Sequence, residues 1–247
     1  MSKVALVTGA AQGLGLVISQ SLINAGYLVV VTDINIEEAE KAAKQLDASG
    51  KKAIAITLDV MNKQDFIEAL ASTINHFGRC DVLVNNAAMT PTTAVMDITP
   101  EEFSQVLDIN LRGNFLGCQV FGQHFSDNNF GRIINLSSLA GQMGGTASGA
   151  HYASSKAGIV TLTKIFARQF AAQGVTVNAI APGPVDVPSV RDKVPAEKLE
   201  HIINNVIPVK AMSNPEFIGS MVVMLASEGA NTVTGATWDI NGGIYMR

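Results

Sequence analysis

A phenol and an ammonium group stand four residues apart near the start of the amphipathic stretch 150–173. Tyr152 and Lys156 therefore share one face of a predicted helix and can serve one site. Acid/base work by tyrosine near neutral pH needs a neighbouring positive charge, because the pKa of a free tyrosine is about 10. Lys156 can supply that charge. The same spacing is common on helix surfaces, so the pair alone does not define a catalytic site.

A serine pair lies upstream, at the end of a predicted buried strand over 132–136. Ser138 could donate a hydrogen bond to a substrate oxygen, and Ser137 could in principle do the same. A serine at a strand end is more often a turn former. Here the glycine-rich loop 141–149 leads the chain directly back to Tyr152, which favours a shared site.

A glycine-rich turn joins the first predicted strand to the first predicted helix, with glycines at Gly9, Gly13 and Gly15. Glycines at such a junction let the backbone approach a pyrophosphate at the helix N-terminus. The spacing Gly-x-x-x-Gly-x-Gly differs from the commoner dinucleotide fingerprint. An ordinary tight turn is the alternative interpretation.

Asp33 closes the second predicted strand, where a carboxylate would accept hydrogen bonds from the adenosine ribose hydroxyls. That placement predicts NAD as the cofactor and makes NADP the less favoured choice. The extra phosphate of NADP needs cationic partners, and neither Gln12 nor Ile34 and Asn35 supplies one. A solvated aspartate at a strand end is the alternative.

Short apolar runs rich in β-branched residues alternate with longer amphipathic stretches along the whole chain. Strands that are apolar without alternation are typical of a parallel sheet covered on both faces. The pattern predicts an α/β fold, a Rossmann-type doubly wound parallel sheet of about seven strands with helices on both faces. The predicted strands are 4–7, 28–32, 53–58, 82–84, 132–136, 175–180 and 237–240, and the predicted helices 13–25, 36–48, 62–76, 100–126, 150–173 and 214–227.

No flexible linker, composition break or internal repeat divides the chain, so we expect residues 1–247 to form a single catalytic domain. The segment 183–212 is poorly patterned and rich in proline and charge. It follows a late strand, and ligands in such sheets bind beyond the carboxyl ends of the strands. We therefore expect it to be a substrate lid.

Composition narrows the class of protein. The chain is 47% apolar and carries 17 basic against 21 acidic residues, a formal charge of −4, without the basic block of a nucleic-acid binder. The N-terminal apolar run is too short for a signal peptide or a membrane span, which predicts a cytoplasmic protein without membrane association. Cys80 and Cys118 lie in no metal-ligand pattern, so we expect buried thiols and no metal site.

Several motifs occur in the order and at the positions typical of short-chain dehydrogenases/reductases. They are Thr8-Gly9-x-x-x-Gly13-x-Gly15, Asn85-Asn86-Ala87-Ala88, Ser138 and Tyr152-x-x-x-Lys156. The chain resembles that family from about Lys3 to 241–243, essentially over its whole length. The ordered set is far more specific than any one of its members.

The resemblance implies a catalytic tetrad. In it Tyr152 is the general acid/base, Ser138 polarises or positions the substrate oxygen, and Lys156 lowers the pKa of Tyr152 and binds the nicotinamide ribose. Asn110 matches the fourth member, which anchors a water that links Lys156 to solvent. By sequence alone Asn110 is a plausible helix cap or kink residue.

The resemblance also assigns cofactor contacts. Asp59 and Val60 follow the third strand and would meet the adenine, Asn86 and Ala87 would line the adenosine ribose, and the segment after the sixth strand would line the nicotinamide. The predicted cofactor residues are Gly9, Gln12, Gly13, Leu14, Gly15, Asp33, Asp59, Val60, Asn86, Ala87, Ala88, Tyr152, Lys156, Pro182, Gly183 and Val185. The family further implies a homotetramer or homodimer.

The chain departs from the family pattern in three places. Ala88 stands where a glycine is usual, and Val187 stands where a threonine hydroxyl commonly contacts the nicotinamide carboxamide. We expect the first change to be minor and the second to weaken cofactor binding or rearrange the lid. The spacing from Ser138 to Tyr152 is about one residue longer than usual, with the insertion within 144–149.

These observations predict an oxidoreductase that moves a hydride between NAD(H) and a carbonyl or secondary alcohol. The NAD preference favours a dehydrogenase of a small or cyclic alcohol or ketone. The alternative is a 3-oxoacyl-thioester reductase acting on acyl-carrier-protein or CoA substrates, a biosynthetic class that more often uses NADPH, and a non-enzyme alternative is an NAD-binding regulatory protein. We expect the small-molecule substrate to meet Met89, Gln142, Met143 and His151, with Thr90 beside them. The basic residues Arg191, Lys193 and Lys198 could attract a carrier or CoA phosphate, although a charged lid is usually just solvated.

Overall fold

The fold is built around a parallel β-sheet, seen in a computed structural model that describes residues 2–145, 149–192 and 194–247. Within these residues seven strands form one sheet in the order β3-β2-β1-β4-β5-β6-β7, and every neighbouring pair is parallel. The strands are β1 Val4–Thr8, β2 Leu28–Asp33, β3 Ala53–Thr57, β4 Val82–Asn85, β5 Gly131–Leu136, β6 Val175–Pro182 and β7 Thr237–Ile240. The predicted doubly wound sheet is confirmed.

Helices connect the strands and cover both faces of the sheet. Several begin at a polar residue that accepts a backbone N–H, as Asn35 and Asn62 do, because the first turn of a helix leaves its donors unpaired. The helices are α1 Gly13–Asn24, α2 Ile36–Leu46, α3 Lys63–Phe77, α4 Pro100–Leu107, α5 Gly113–Asp127, α6 Ala140–Met143, α7 Ala150–Phe170, α8 Pro188–Arg191, α9 Ala196–His201 and α10 Pro215–Ala226.

The prediction of one uninterrupted helix over 100–126 is wrong. A π-helical turn, Asp108–Arg112, separates α4 from α5. Backbone hydrogen bonding continues through this turn, so the apolar periodicity used for prediction does not register it. Such turns are frequent at functional sites, and this one contains Asn110.

The core lies in two layers, one on each face of the sheet. Alternate residues of one strand enter different layers: Val7 packs with α1, α2 and α10, whereas Leu6 packs with α3, α5 and α7. This double burial explains the continuous apolar runs in the sequence. Cys80 and Cys118 are buried free thiols, as predicted.

The place where a ligand can bind follows from the strand order. The chain runs outward from β1 to β2 and β3 on one side, and through β4 to β7 on the other. The carboxyl ends of β1 and β4 therefore border the crevice at which doubly wound sheets bind ligands. The predicted lid contains α8, α9 and a π-helical turn, Ile202–Val206, so it is more regular than its sequence pattern indicates.

Over the described part of the chain, no helix combines the length and apolar character needed to cross a membrane.

Candidate active site

Helix α7 carries the phenol and the ammonium group of the site. Tyr152 and Lys156 lie one turn apart, and Lys156 Nζ is 5.6 Å from the centre of the Tyr152 ring. The Lys156 side chain is only 3% exposed, and its Nζ donates a 2.7 Å hydrogen bond to the carbonyl oxygen of Leu136 at the end of β5. That bond anchors α7 to the strand that precedes Ser138.

Burial shifts the pKa values of both groups. Loss of hydration raises the pKa of Tyr152, and hydrogen bonding with the Ser138 and Thr90 side chains partly offsets the rise. Burial also lowers the pKa of Lys156 to about 8. Tyr152 thus holds its proton at neutral pH, which suits a proton donor. The lowering of its pKa by Lys156, which the family resemblance implies, stays a prediction for the cofactor-bound enzyme.

The two serines after β5 have different partners. The Ser137 hydroxyl donates to the backbone oxygen of Lys156 at 2.9 Å, so it binds β5 to α7. The Ser138 hydroxyl oxygen accepts from Ala140 N at 3.1 Å, at the start of α6. Because an acceptor role leaves its hydrogen free, Ser138 can donate to an oxygen in the cleft. The geometry therefore favours Ser138 over Ser137.

Asn110 ties three segments together from within the π-helical turn. Its side-chain oxygen accepts from Met89 N at 2.8 Å, and its amide nitrogen donates to Met89 O at 3.0 Å and to the Ser155 hydroxyl at 3.1 Å. Ser155 in turn donates to Tyr152 O. The Asn110 side chain thus links the loop after β4 to α7.

The turn between β1 and α1 has the shape that a dinucleotide requires. Gly13 has φ +57°, and a Cβ there would meet no protein atom within 4 Å, so its open side can accept a ligand. At Gly15 a Cβ would lie 2.5 Å from Gly9 O, so any side chain would push the turn apart. The residues present therefore fit a pyrophosphate at the N-terminus of α1.

Asp33 lies at the carboxyl end of β2, beside this turn. Its carboxylate accepts from Ala11 N at 3.4 Å and from Asn35 N at 3.2 Å. The first turn of α2 adds Glu37 and Glu38. A carboxylate in this position can receive ribose hydroxyl hydrogens, and the surrounding charge is negative.

The other predicted cofactor residues divide between two spaces at the carboxyl edge of the sheet. A cleft of about 170 Å³ is bordered by most of them, and Val60 and Ala87 border a smaller inner cavity. The residues bordering the cleft are Leu14, Asn86, Ala88, Leu136, Ser137, Ser138, Tyr152, Lys156, Pro182, Gly183 and Val185. Gln12 is exposed at the start of α1, and Asp59 caps the turn after β3 by accepting from Met61 N.

The structure corrects the predicted substrate residue His151. Its side chain is completely buried, with Nε2 3.1 Å from the Glu102 carboxylate and Nδ1 accepting from Tyr152 N. It braces the start of α7 against α4 and does not face the cleft. A polar residue beside the catalytic tyrosine in sequence resembles a substrate contact, but its helical position turns it inward.

The other three predicted substrate residues also lie outside the cleft lining that the structure describes. Met89 is held through its backbone by Asn110, Gln142 donates to Asp239 at 2.6 Å, and Met143 is exposed on α6. Within the segment 144–149, where the extra residue is expected, residues 146–148 lie outside the described residues. Val187, the departure from the family threonine, is buried where α8 begins.

Sequence reasoning missed the positioning role of Thr8. Its hydroxyl oxygen accepts from the backbone N–H groups of Asn86 and Ala87, each at 3.0 Å, and so joins the ends of β1 and β4. The available signal was a hydroxyl residue at the end of an otherwise apolar strand. Thr90, predicted only as a pocket neighbour, lies close enough to influence the Tyr152 phenol.

The fold and the arrangement of Ser138, Tyr152, Lys156 and Asn110 fit an oxidoreductase that uses a nicotinamide cofactor. Comparison with known proteins agrees: a family model described as enoyl-(acyl carrier protein) reductase matches residues 9–245. The chain belongs to the short-chain dehydrogenase/reductase family.

Curated relatives cover the chain from end to end. It is 36% identical over 247 residues to the 3-oxoacyl-acyl-carrier-protein reductase FabG of Staphylococcus epidermidis, with 100% of both chains covered. It is 38% identical over 247 residues, again with 100% of both covered, to the acetoacetyl-CoA reductase of Rhizobium meliloti. A solved structure from Agrobacterium tumefaciens, described as a candidate gluconate dehydrogenase, superposes with a TM-score of 0.91 at 26% identity, covering 98% of this chain and 95% of that one. The curated relatives favour the thioester-reductase alternative over the small or cyclic alcohol that the sequence analysis placed first.

Proposed function

We propose that this enzyme reduces the keto group of a 3-oxoacyl thioester to a hydroxyl group, with NADH as the hydride donor. The observation that carries the proposal is the full-length similarity, at 36% and 38% identity, to two reductases named for such thioesters. The site supports it, since Ser138, Tyr152 and Lys156 border one cleft, and Asn110 borders the inner cavity that Lys156 also lines. The thioester is the shared chemistry, whether it is borne by CoA or by a carrier protein.

The residues of the chain have complementary roles in this reaction. The reduced nicotinamide, when bound, supplies a hydride to the carbonyl carbon. Tyr152 gives its proton to the carbonyl oxygen, and Ser138 donates a hydrogen bond to the same oxygen. One hydride and one proton together convert the ketone to a secondary alcohol. Burial raises the pKa of Tyr152, so its phenol keeps the proton that the reduction consumes.

The choice of NADH rests on the charge at the end of β2. A ribose phosphate there would face Asp33 and the acidic first turn of α2, and Lys41, the cation close by, is paired with Glu38 at 2.6 Å. Binding that phosphate would cost unfavourable charge interactions with no nearby free cation among the described residues of α2. We therefore expect NADH to be the better donor.

The basic residues of the lid support a carrier only weakly. Arg191 forms an ion pair with Asp186 at 2.6 Å, and Lys193 lies outside the described residues. Lys198 on α9 is exposed and is the remaining candidate for a phosphate contact. For this reason the nature of the thioester carrier must be decided by experiment.

The test is a panel of substrates, with turnover of each measured as the decrease in reduced-nicotinamide absorbance. Acetoacetyl-CoA, acetoacetyl-carrier-protein and an acetoacetyl thioester of a short thiol are compared, each with NADH and with NADPH. Tyr152→Phe removes the proton donor and should lower kcat at least about 100-fold while leaving NADH binding unchanged. Ser154→Ala, an exposed residue on the same helix, is the matched control and should keep full activity.

Other outcomes select other functions. Oxidation of gluconate or cyclic alcohols without any thioester reduction would support the dehydrogenase that the sequence analysis placed first. Saturation of a 2-enoyl thioester in preference to the 3-oxo compound would move the activity to a carbon–carbon double bond. Tight NADH binding with no turnover of any substrate would favour a regulatory protein and refute the proposal.

A further inference from the structure

A small cavity borders Lys156 and shares Leu136 with the substrate cleft. Its volume is roughly 10 Å³, about the space for one water molecule. Part of its wall is apolar, but polar side chains reach it from different elements: Thr8 from β1, Asn85 from β4, Asn110 from the π-helical turn and Asn114 from α5. A cavity of this size with several polar partners suits a buried water.

Asn114 brings an unpaired amide to this cavity. The residue is 5% exposed, and its Oδ1 accepts from Cys118 Sγ at 3.6 Å. Within the described part of the chain its Nδ2 has no hydrogen-bond partner. Turning the amide over does not help, because Cys118 then faces Nδ2 and the oxygen is left unpaired. A buried amide with nothing to bind is unfavourable, so a partner in the cavity is expected.

Lys156 borders the same cavity with unused donors. A protonated lysine has three N–H bonds, and among the described residues the one acceptor for Nζ is the Leu136 carbonyl oxygen. Tyr152 lies beside it on the same helix. The polar groups of Lys156 and Asn114 thus come from α7 and α5 to one water-sized space.

We propose that Asn114 is a positioning residue for Lys156, acting through one buried water that accepts a hydrogen bond from each side chain. The water solvates the ammonium group from the interior and keeps it charged at the pH at which the enzyme works. This inference rests on the proposed function for its importance in catalysis, but the water and its effect on Lys156 can be measured without a substrate.

The charge environment makes this water influential. Tyr152, on the same helix, is the one other titratable side chain among the described residues bordering the cleft and the inner cavity. The elements packed against Lys156, including β1, β4, β5, α5 and the segment after β6, contribute amides, hydroxyls and apolar groups to those walls and no carboxylate. Cys118 behind Asn114 stays a thiol, because burial raises its pKa to about 12. Removing the water would therefore add to the desolvation that lowers the pKa of Lys156.

The test compares three variants with the wild-type enzyme. Asn114→Leu keeps the branched shape but replaces the amide with bulkier methyl groups that exclude the water. Asn114→Ser keeps a donor and leaves room for water, and Cys118→Ala disturbs the other end of the amide without facing Lys156. The pH dependence of kcat is measured for each. In parallel, the pH dependence of Lys156 acylation by an amine-specific reagent is followed in the cofactor-free protein by peptide mass spectrometry.

In Asn114→Leu, both the high-pH limb of kcat and the midpoint of Lys156 acylation should move to lower pH by about one unit. Asn114→Ser and Cys118→Ala should keep the wild-type values. An unmoved midpoint in Asn114→Leu, or an equal move in all three variants, overturns the proposal, because a packing effect would act alike in each. If no substrate is found, the proposed function fails while the acylation result still stands.

A crystal structure of the wild-type enzyme gives a test that does not depend on the variants folding. Water density within hydrogen-bond distance of both Asn114 Nδ2 and Lys156 Nζ is the expected result. A dry cavity at a resolution that shows other buried waters would refute the proposal.

Discussion

Lys156 should lower the free energy of unfolding of this protein, and the Lys156→Met variant should show by how much. Burial lowers the pKa of Lys156 from 10.5 to about 8. Each unit of difference between the folded and unfolded pKa corresponds to about 1.4 kcal/mol, so protonated Lys156 costs the folded state about 3 kcal/mol near pH 7. Methionine removes that cost but leaves the Leu136 carbonyl oxygen unpaired, a loss of about 1–3 kcal/mol. The variant should be inactive and at least as stable as the wild type near neutral pH.

The sign of the pH dependence separates this effect from ordinary repacking. Between about pH 8 and about pH 10.5 the unfolded chain binds the Lys156 proton and the folded chain does not, so stability rises with pH in the wild type. The variant lacks this term. The wild-type free energy of unfolding should therefore gain about 2 kcal/mol on the variant between about pH 7 and about pH 9.5.

Urea unfolding at matched protomer concentration, at several pH values, measures this difference directly. Other titrating groups are common to both proteins and largely cancel in the comparison. A difference that does not change over this pH range would show that Lys156 has an ordinary pKa in the folded protein, and would refute the reasoning.

Three further predictions concern the cofactor turn, the cofactor charge and the helical surface. Gly15→Ala places a Cβ against the backbone of the glycine-rich turn and should weaken NADH binding, measured by fluorescence titration, at least about 10-fold. In the control Gly229→Ala the added Cβ has its nearest neighbour at 3.8 Å, so this variant should bind NADH as the wild type does. Equal affinities in the two variants would contradict the assigned turn. Asp33→Ser should raise kcat/KM for NADPH relative to NADH by about 10-fold or more, since it removes the repelling carboxylate, and an unchanged ratio would show that Asp33 does not meet the ribose. Phe115 and Ile165 are 37% and 53% exposed on α5 and α7, so the expected homotetramer or homodimer should dissociate in the double glutamate variant, as light scattering can measure; an unaltered mass would place the subunit contacts elsewhere.

Much of the fold could be predicted because a parallel sheet covered on both faces leaves a strong pattern. Continuous apolar strands separated by amphipathic stretches predict the sheet, and the glycine turn after β1 predicts a cofactor site. The catalytic pair Tyr152 and Lys156 was visible because one helical turn separates them. In each case the interacting residues are close in sequence or follow a regular period.

Side-chain direction could not be predicted in the same way. His151 is next to Tyr152 in the chain, yet its side chain points inward, because its ring contacts the carboxylate of Glu102, 49 residues away. Ser137 and Ser138 cannot be distinguished in the sequence. Only the structure shows that the Ser137 hydroxyl donates its hydrogen bond to the backbone carbonyl of Lys156. Their roles depend on partners from distant elements, which no local pattern records.

Strand and helix alternation follows from the amino-acid sequence, as do the predicted cofactor turn and the proposed catalytic side chains, because these depend on local spacing and burial period. Tertiary structure alone decided which side chains face the cleft, where the π-helical turn interrupts α4 and α5, and that Asn114 and Lys156 meet at one small cavity. Hydrogen-bond partners and solvent exclusion arise only when β1, β4, β5, α5 and α7 are packed together, and they set the pKa values with which the site works.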